Sequence, residues 1–154
     1  MKLASAAISA LTLGFSIYVF VAYENGLEGF QFQTDRYDWL PGLGVSFHLG
    51  VDGISVPMVL LTGIVMVTGV FMAWNTEPRS KDFFVLFMTL VTGVYGVFLS
   101  LDLFFLFFFY ELAVVPMYLL IGIWGSTRKE YGALKLVLYL VASSVLVWVG
   151  IIAI

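Results

Sequence analysis

Residues 107–125 read FFFYELAVVPMYLLIGIWG and place one carboxylate, Glu111, inside an otherwise apolar and aromatic run. Whether that run is a core helix or a membrane span is decided by the rest of the chain. Of its 154 residues 62% are hydrophobic and only 11% charged, against about 25% charged in ordinary globular domains. Mean hydropathy is +1.05. A soluble fold cannot hide that much apolar surface, so the run is a span of ~20 residues crossing a hydrocarbon layer of ~30 Å.

Working outward, apolar runs occupy about 3–23, 54–74, 83–100, 101–124 and 132–154, with the charges gathered between them. Helices satisfy every backbone polar group within lipid, which predicts an all-α transmembrane fold of about five spanning helices. Only Asp102 marks the break between the third and fourth runs. One helix over 83–124 would be far too long for a single crossing, so a tight turn is expected at Ser100–Asp102. The first run is longer than the 7–15-residue core of a signal peptide and is read as a span.

The basic residues set the orientation. Lys2, Arg79, Lys81, Arg128 and Lys129 all fall at one side when five helices alternate, and basic loops stay cytoplasmic. The N-terminus is then cytoplasmic and Ile154 ends outside, in a bacterial inner membrane. The outer connection, about 24–53, is expected to be a short folded cap rather than a second domain. Phe30-Gln31-Phe32-Gln33 alternates as a half-buried strand does. Tyr37 and Trp39 suit the headgroup level, while Pro41, Gly42 and Gly44 favour turns.

Absences narrow the chemistry. With no cysteine and one histidine, His48, the chain lacks thiolate ligands and a bis-histidine haem pair. Seven scattered basic residues form no patch for nucleic acid. No metal site and no cofactor on this chain are expected.

The candidate site is built on Glu111. If the fourth helix starts near Leu101, ten residues at 1.5 Å place Glu111 about 15 Å deep. An acid there costs about 2.5–3.5 kcal/mol on insertion scales and commonly marks an ion or proton path; the alternative is a structural pin between helices. Desolvation favours its neutral form and a basic partner its charged form, a balance suited to a proton carrier. Pro116 cannot donate to the Leu112 carbonyl and is expected to kink the helix. Lys135 is a second candidate, as a channel residue or as a side chain snorkelling to the interface. Asp52, with Gly53 and Ser55, is placed to cap the second helix, and His48 to serve as an exit-side relay. Asp102 is expected to cap the fourth helix.

FFFYELAVVPMYLLIGIWG (107–125) followed by RKEYGALKLVLYLVASS (128–144) resembles the antiporter-like proton-pumping subunits of respiratory complex I, the subunit M type above all. VSFHLGVDGISVPMVLLTG (45–63) and LSLDLFFLFFFYE (99–111) extend the likeness to about 45–150. The resemblance implies a membrane-arm part in a proton-translocating NADH:quinone oxidoreductase. It aligns Glu111 with the family's input half-channel glutamate and Lys135 with a lysine near that channel. It also implies that NADH, flavin, iron–sulfur centres and quinone are handled by other subunits, with membrane-arm neighbours and lipid as partners. Family members have about fourteen helices, so the chain reads as a single transmembrane segment of a larger subunit, or as one part of a channel completed by a second polypeptide. A cation/proton antiporter or membrane-bound hydrogenase subunit shares the module. A purely structural membrane scaffold is the reading of a different class.

Overall fold

The computed structural model describes residues 2–24, 29–40, 42, 44–75 and 79–153. Pro41 and Ile154, used in the readings above, lie outside these. Among the described residues five helices are long and apolar enough to cross a membrane: α1 (Lys2–Ala22), α2 (Ser55–Met72), α3 (Ser80–Leu99), α4 (Leu103–Trp124) and α5 (Lys129–Ala153). A single 3₁₀ turn, Ala73–Asn75, extends α2. The multi-pass membrane architecture is therefore as expected. The correction is at the boundaries: α5 begins at Lys129, ahead of the apolar run at about 132, with Lys129 and Glu130 in its first turn.

Helices packed in chain order make the bundle: α1 on α2, α2 on α3, α3 on α4 and α4 on α5. The α3–α4 approach is the tightest, because glycines leave room for it. A methyl on Gly93 would sit 2.9 Å from Cβ of Ala113, and one on Gly96 would overlap the Phe109 ring. Small residues at a crossing let backbones approach where lipid supplies no hydrophobic drive between helices. The serines of α1 serve the same end. Ser5, Ser9 and Ser16 are buried against the bundle, and Ser16 Oγ lies 2.9 Å from Tyr95 Oη on α3. Val70, Ala73 and Phe84 form a buried cluster at the far ends of α2 and α3.

One end of the bundle is closed by the long connection. Strand β1 (Tyr37–Leu40) pairs antiparallel with β2 (Val45–Phe47), with an irregularity between Asp38 and Leu40. The alternation at 30–33 does not build a strand. Gln31 makes an isolated bridge to Val51, and Phe32 turns the chain with φ of 52°, which ends any extended run. The reciprocal bonds of the Gln31 side chain with the Glu24 backbone, at 3.1 and 2.7 Å, anchor this turn to the end of α1.

The hairpin is stitched to the α3–α4 turn. Leu101 N–H donates to the His48 carbonyl at 3.0 Å and Gly50 N–H to that of Leu99 at 2.9 Å. Trp39 and Phe47 pack on Phe105, with ring centroids 5.7 and 5.0 Å apart. The turn expected at Ser100–Asp102 is present, with Asp102 as the N-cap of α4. At the opposite end Phe83 and Trp124 meet edge to face at 5.3 Å, so the basic connections lie together, away from the hairpin.

Candidate intramembrane carboxylate site

Glu111 lies on α4 eight residues after Leu103, about 12 Å from the hairpin end of a helix about 33 Å long. That is some 3 Å shallower than a start at Leu101 would give, yet still within the apolar core. Its Oε1 is buried and has no hydrogen-bond partner among the described residues. The reason is local. Phe107, Phe108, Val114 and Val115, the residues one turn away on the same helix, carry no donor. A buried acceptor left unpaired costs about 1–3 kcal/mol, so the fold leaves an acceptor here that asks for a partner.

Pro116 lies buried within α4, and the helix continues past it to Trp124. Proline has no N–H, so the carbonyl of Leu112, the residue after Glu111, loses its usual donor. Lys135 sits apart from the acid. It is exposed on α5, with Nζ 5.7 Å from the ring centroid of Tyr131 and 6.0 Å from that of Tyr139. Both distances suit cation–π attraction. The ion pairs found among the described residues are Arg36–Asp38 and Arg79–Asp82, and neither involves Glu111 or Lys135.

Asp52 and His48 belong to the hairpin end. Asp52 Oδ1 accepts from Ser55 N–H at 2.6 Å and Ile54 N–H at 3.1 Å, while Ser55 Oγ accepts from Asp52 N–H at 2.8 Å. This closes the start of α2 as the sequence suggested. The Ser55 amide, supported by the Ser55 hydroxyl and the Ile54 amide, holds the Asp52 carboxyl below its ordinary 3.8 against the opposing pull of partial burial. His48 contributes its carbonyl to the α3–α4 turn.

Asp102 does more than cap. Oδ1 accepts from Phe104 and Phe105 N–H at 2.8 and 3.3 Å, and Oδ2 accepts from Ser46 N–H at 3.0 Å. It therefore ties β2 to α4. At the other end of α4, Lys129 Nζ donates to the Ile123 carbonyl at 2.8 Å, where a cation also complements the helix dipole. Both roles escaped the sequence reading. An aspartate before an apolar run signals the cap, but nothing local signals the strand partner.

Comparison with known proteins fits this architecture. Residues 100–154 match the family model described as NADH:quinone oxidoreductase/Mrp antiporter, TM. Over 148 residues the chain is 38% identical to an NAD(P)H-quinone oxidoreductase chain 4 of Synechococcus sp. strain JA-2-3B'a(2-13), covering 96% of this chain and 28% of the relative. A chain 4 of Trichodesmium erythraeum is 40% identical over 144 residues, 93% of this chain and 26% of the relative. One from Synechocystis sp. strain PCC 6803 is 40% identical over 134 residues, 86% and 24% respectively. The chain thus spans about a quarter of the length of the curated relatives it matches. The resemblance read from 107–125 and 128–144 is borne out.

Proposed function

We propose that this chain, whose residues 100–154 match the NADH:quinone oxidoreductase/Mrp antiporter transmembrane family model, is part of the proton-translocating membrane arm of a quinone oxidoreductase, and that Glu111 binds and releases the proton. The observation that carries the reading is the buried, unpartnered Oε1 of Glu111 near the middle of a membrane helix. An acceptor in that position has room to hold a proton or a water-borne donor, among neighbours one turn away on α4 that are all apolar. The Leu112 carbonyl, to which Pro116 cannot donate, offers a second acceptor, where a water could be held within a turn of the carboxyl.

Electron transfer belongs to other subunits in this reading, which carry NADH, flavin, iron–sulfur centres and quinone. The chain's own part is to hold and pass a proton, so the enzyme is the assembly. Lys135 is a channel-side group rather than the counter-ion of Glu111. Lys2, Arg79, Lys81, Arg128 and Lys129 put the basic end in the cytoplasm and the hairpin outside. Lipid and neighbouring membrane-arm subunits cover the outward apolar faces, of which α5 presents the largest, with Leu138 at 70% and Leu146 at 72% exposure.

The family description also names an antiporter, so a cation/proton exchanger subunit is the second reading, with the same role for Glu111. Infrared difference spectra of the native assembly, with Glu111→Gln subtracted, test both against a scaffold. A carboxyl band that appears as pH falls supports the proton carrier. A Glu111 carboxyl held in one protonation state at every pH at which the assembly works would sink it.

A further inference from the structure

The register between α4 and α5 identifies the group opposite the unpartnered oxygen of Glu111. The helices run antiparallel. Phe107 packs on Trp148 with centroids 4.9 Å apart, Tyr110 Oη lies 3.2 Å from Ser143 Oγ, and a methyl on Gly122 would meet Cβ of Ala133 at 3.9 Å. Advancing one turn from the Phe107–Trp148 pair, four residues along each helix, brings Glu111 level with Ser144. The faces agree as well. Phe107, Tyr110, Glu111 and Gly122 share the α5-facing side of α4, whereas Phe109 and Ala113 turn toward α3. Ser144 is 5% exposed although Val145 and Leu146 beside it are 55% and 72% exposed, so its side chain is turned into the bundle. Its Oγ donates to the Val141 carbonyl at 2.9 Å, a local back-bond that a change of χ1 between staggered wells releases.

We propose that Ser144 is the positioning residue of the site: its hydroxyl swings from the Val141 carbonyl to donate to Oε1 of Glu111, fixing the carboxyl's orientation for proton transfer. The proposal rests on the reading of Glu111 as the proton-binding group. The other polar groups nearby are already engaged or too distant. Tyr110 meets Ser143 and Tyr95 on α3 meets Ser16. Tyr131, Lys135 and Tyr139 form their own cation–π group, with Lys135 nine residues, about 14 Å, along α5 from Ser144. Tyr118 lies seven residues, about 10 Å, along α4 from Glu111. Lys81, Asp82, Lys129 and Glu130 sit in the first turns of α3 and α5 at the basic end.

The test is the Glu111 carboxyl stretch, isolated by subtracting Glu111→Gln, in the native assembly carrying Ser144→Ala or Ser144→Thr. The band is expected at higher wavenumber in Ser144→Ala, as for a carbonyl that loses a donor, and at its native position in Ser144→Thr, which keeps the hydroxyl. Proton transfer should slow roughly tenfold in Ser144→Ala, about the worth of one hydrogen bond to a carboxyl, and recover in Ser144→Thr. A native band with no displacement in Ser144→Ala would overturn the proposal while leaving Glu111 as carrier. Absence of any Glu111 band in the native spectrum at every pH would overturn both. A displaced band that Ser144→Thr does not restore, with altered amide absorption, would assign Ser144 to packing and reject the positioning role.

Discussion

Replacing Asp102 with alanine should unlock the hairpin from the bundle. Asp102 serves three backbone amides at once, Phe104 and Phe105 in the first turn of α4 and Ser46 on β2. Loss of an N-cap costs about 1 kcal/mol and up to about 2. The Ser46 amide belongs to a residue only 4% exposed, so its orphaned donor adds about 1–3 kcal/mol. Together these give about 2–5 kcal/mol for opening the hairpin end. Amide hydrogen exchange in detergent micelles reads it directly. Exchange at Ser46 should accelerate about 30- to 4,000-fold, at 1.4 kcal/mol per tenfold, with Phe104 and Phe105 accelerating too and the middle of α5 unchanged. Asp102→Asn separates the parts: its amide oxygen still caps α4, but its NH₂ cannot accept from Ser46, so only the Ser46 loss should remain. Unchanged exchange at Ser46 in Asp102→Ala would refute the tether.

Two further outcomes follow from the packing and the capping. Gly96→Leu should destabilise the bundle by about 1–3 kcal/mol through collision with Phe109, measured by unfolding in mixed micelles; adding Phe109→Ala should return part of the loss, and a cost under about 0.5 kcal/mol would show that the α3–α4 contact is looser than described. Asp52 has a folded-state pKa below its unfolded value, so its contribution to the start of α2 is complete above the ordinary aspartate range and is lost as pH falls through the lower, folded value. Protection from exchange at Ile54 and Ser55, relative to the intrinsic rate at each pH, should fall on acidification, and Asp52→Asn should flatten that dependence; an identical acid response in Asp52→Asn would assign it to another group.

The number of helices was legible because each apolar run matches the thickness of a bilayer and the charges fall between runs. The Ser100–Asp102 turn was legible for the same reason, since no single helix of that length could span. Glu111 stood out by cost alone, as a lone acid among aromatics. What escaped was information carried by pairs distant in sequence. Asp102 announces a cap, but its bond to Ser46 depends on where the hairpin folds back. Nothing near Ser144 distinguishes it from an ordinary helical serine until the α4–α5 register sets it level with Glu111. The alternation at 30–33 misled because a period of two presumes extended backbone, and Phe32 adopts positive φ. Lys135 and Glu111 drew attention separately as charges in apolar runs, while the structure gives Lys135 two tyrosine rings in place of the acid.

The most direct test of Glu111 as proton carrier is proton translocation per electron in membranes carrying Glu111→Gln and Glu111→Leu. Gln keeps the size and part of the hydrogen bonding but cannot exchange a proton, whereas Leu removes both. The account predicts that both variants assemble and that both lose translocation. Translocation intact in Glu111→Gln and lost only in Glu111→Leu would contradict it, leaving Glu111 as a hydrogen-bonding pin between α4 and α5.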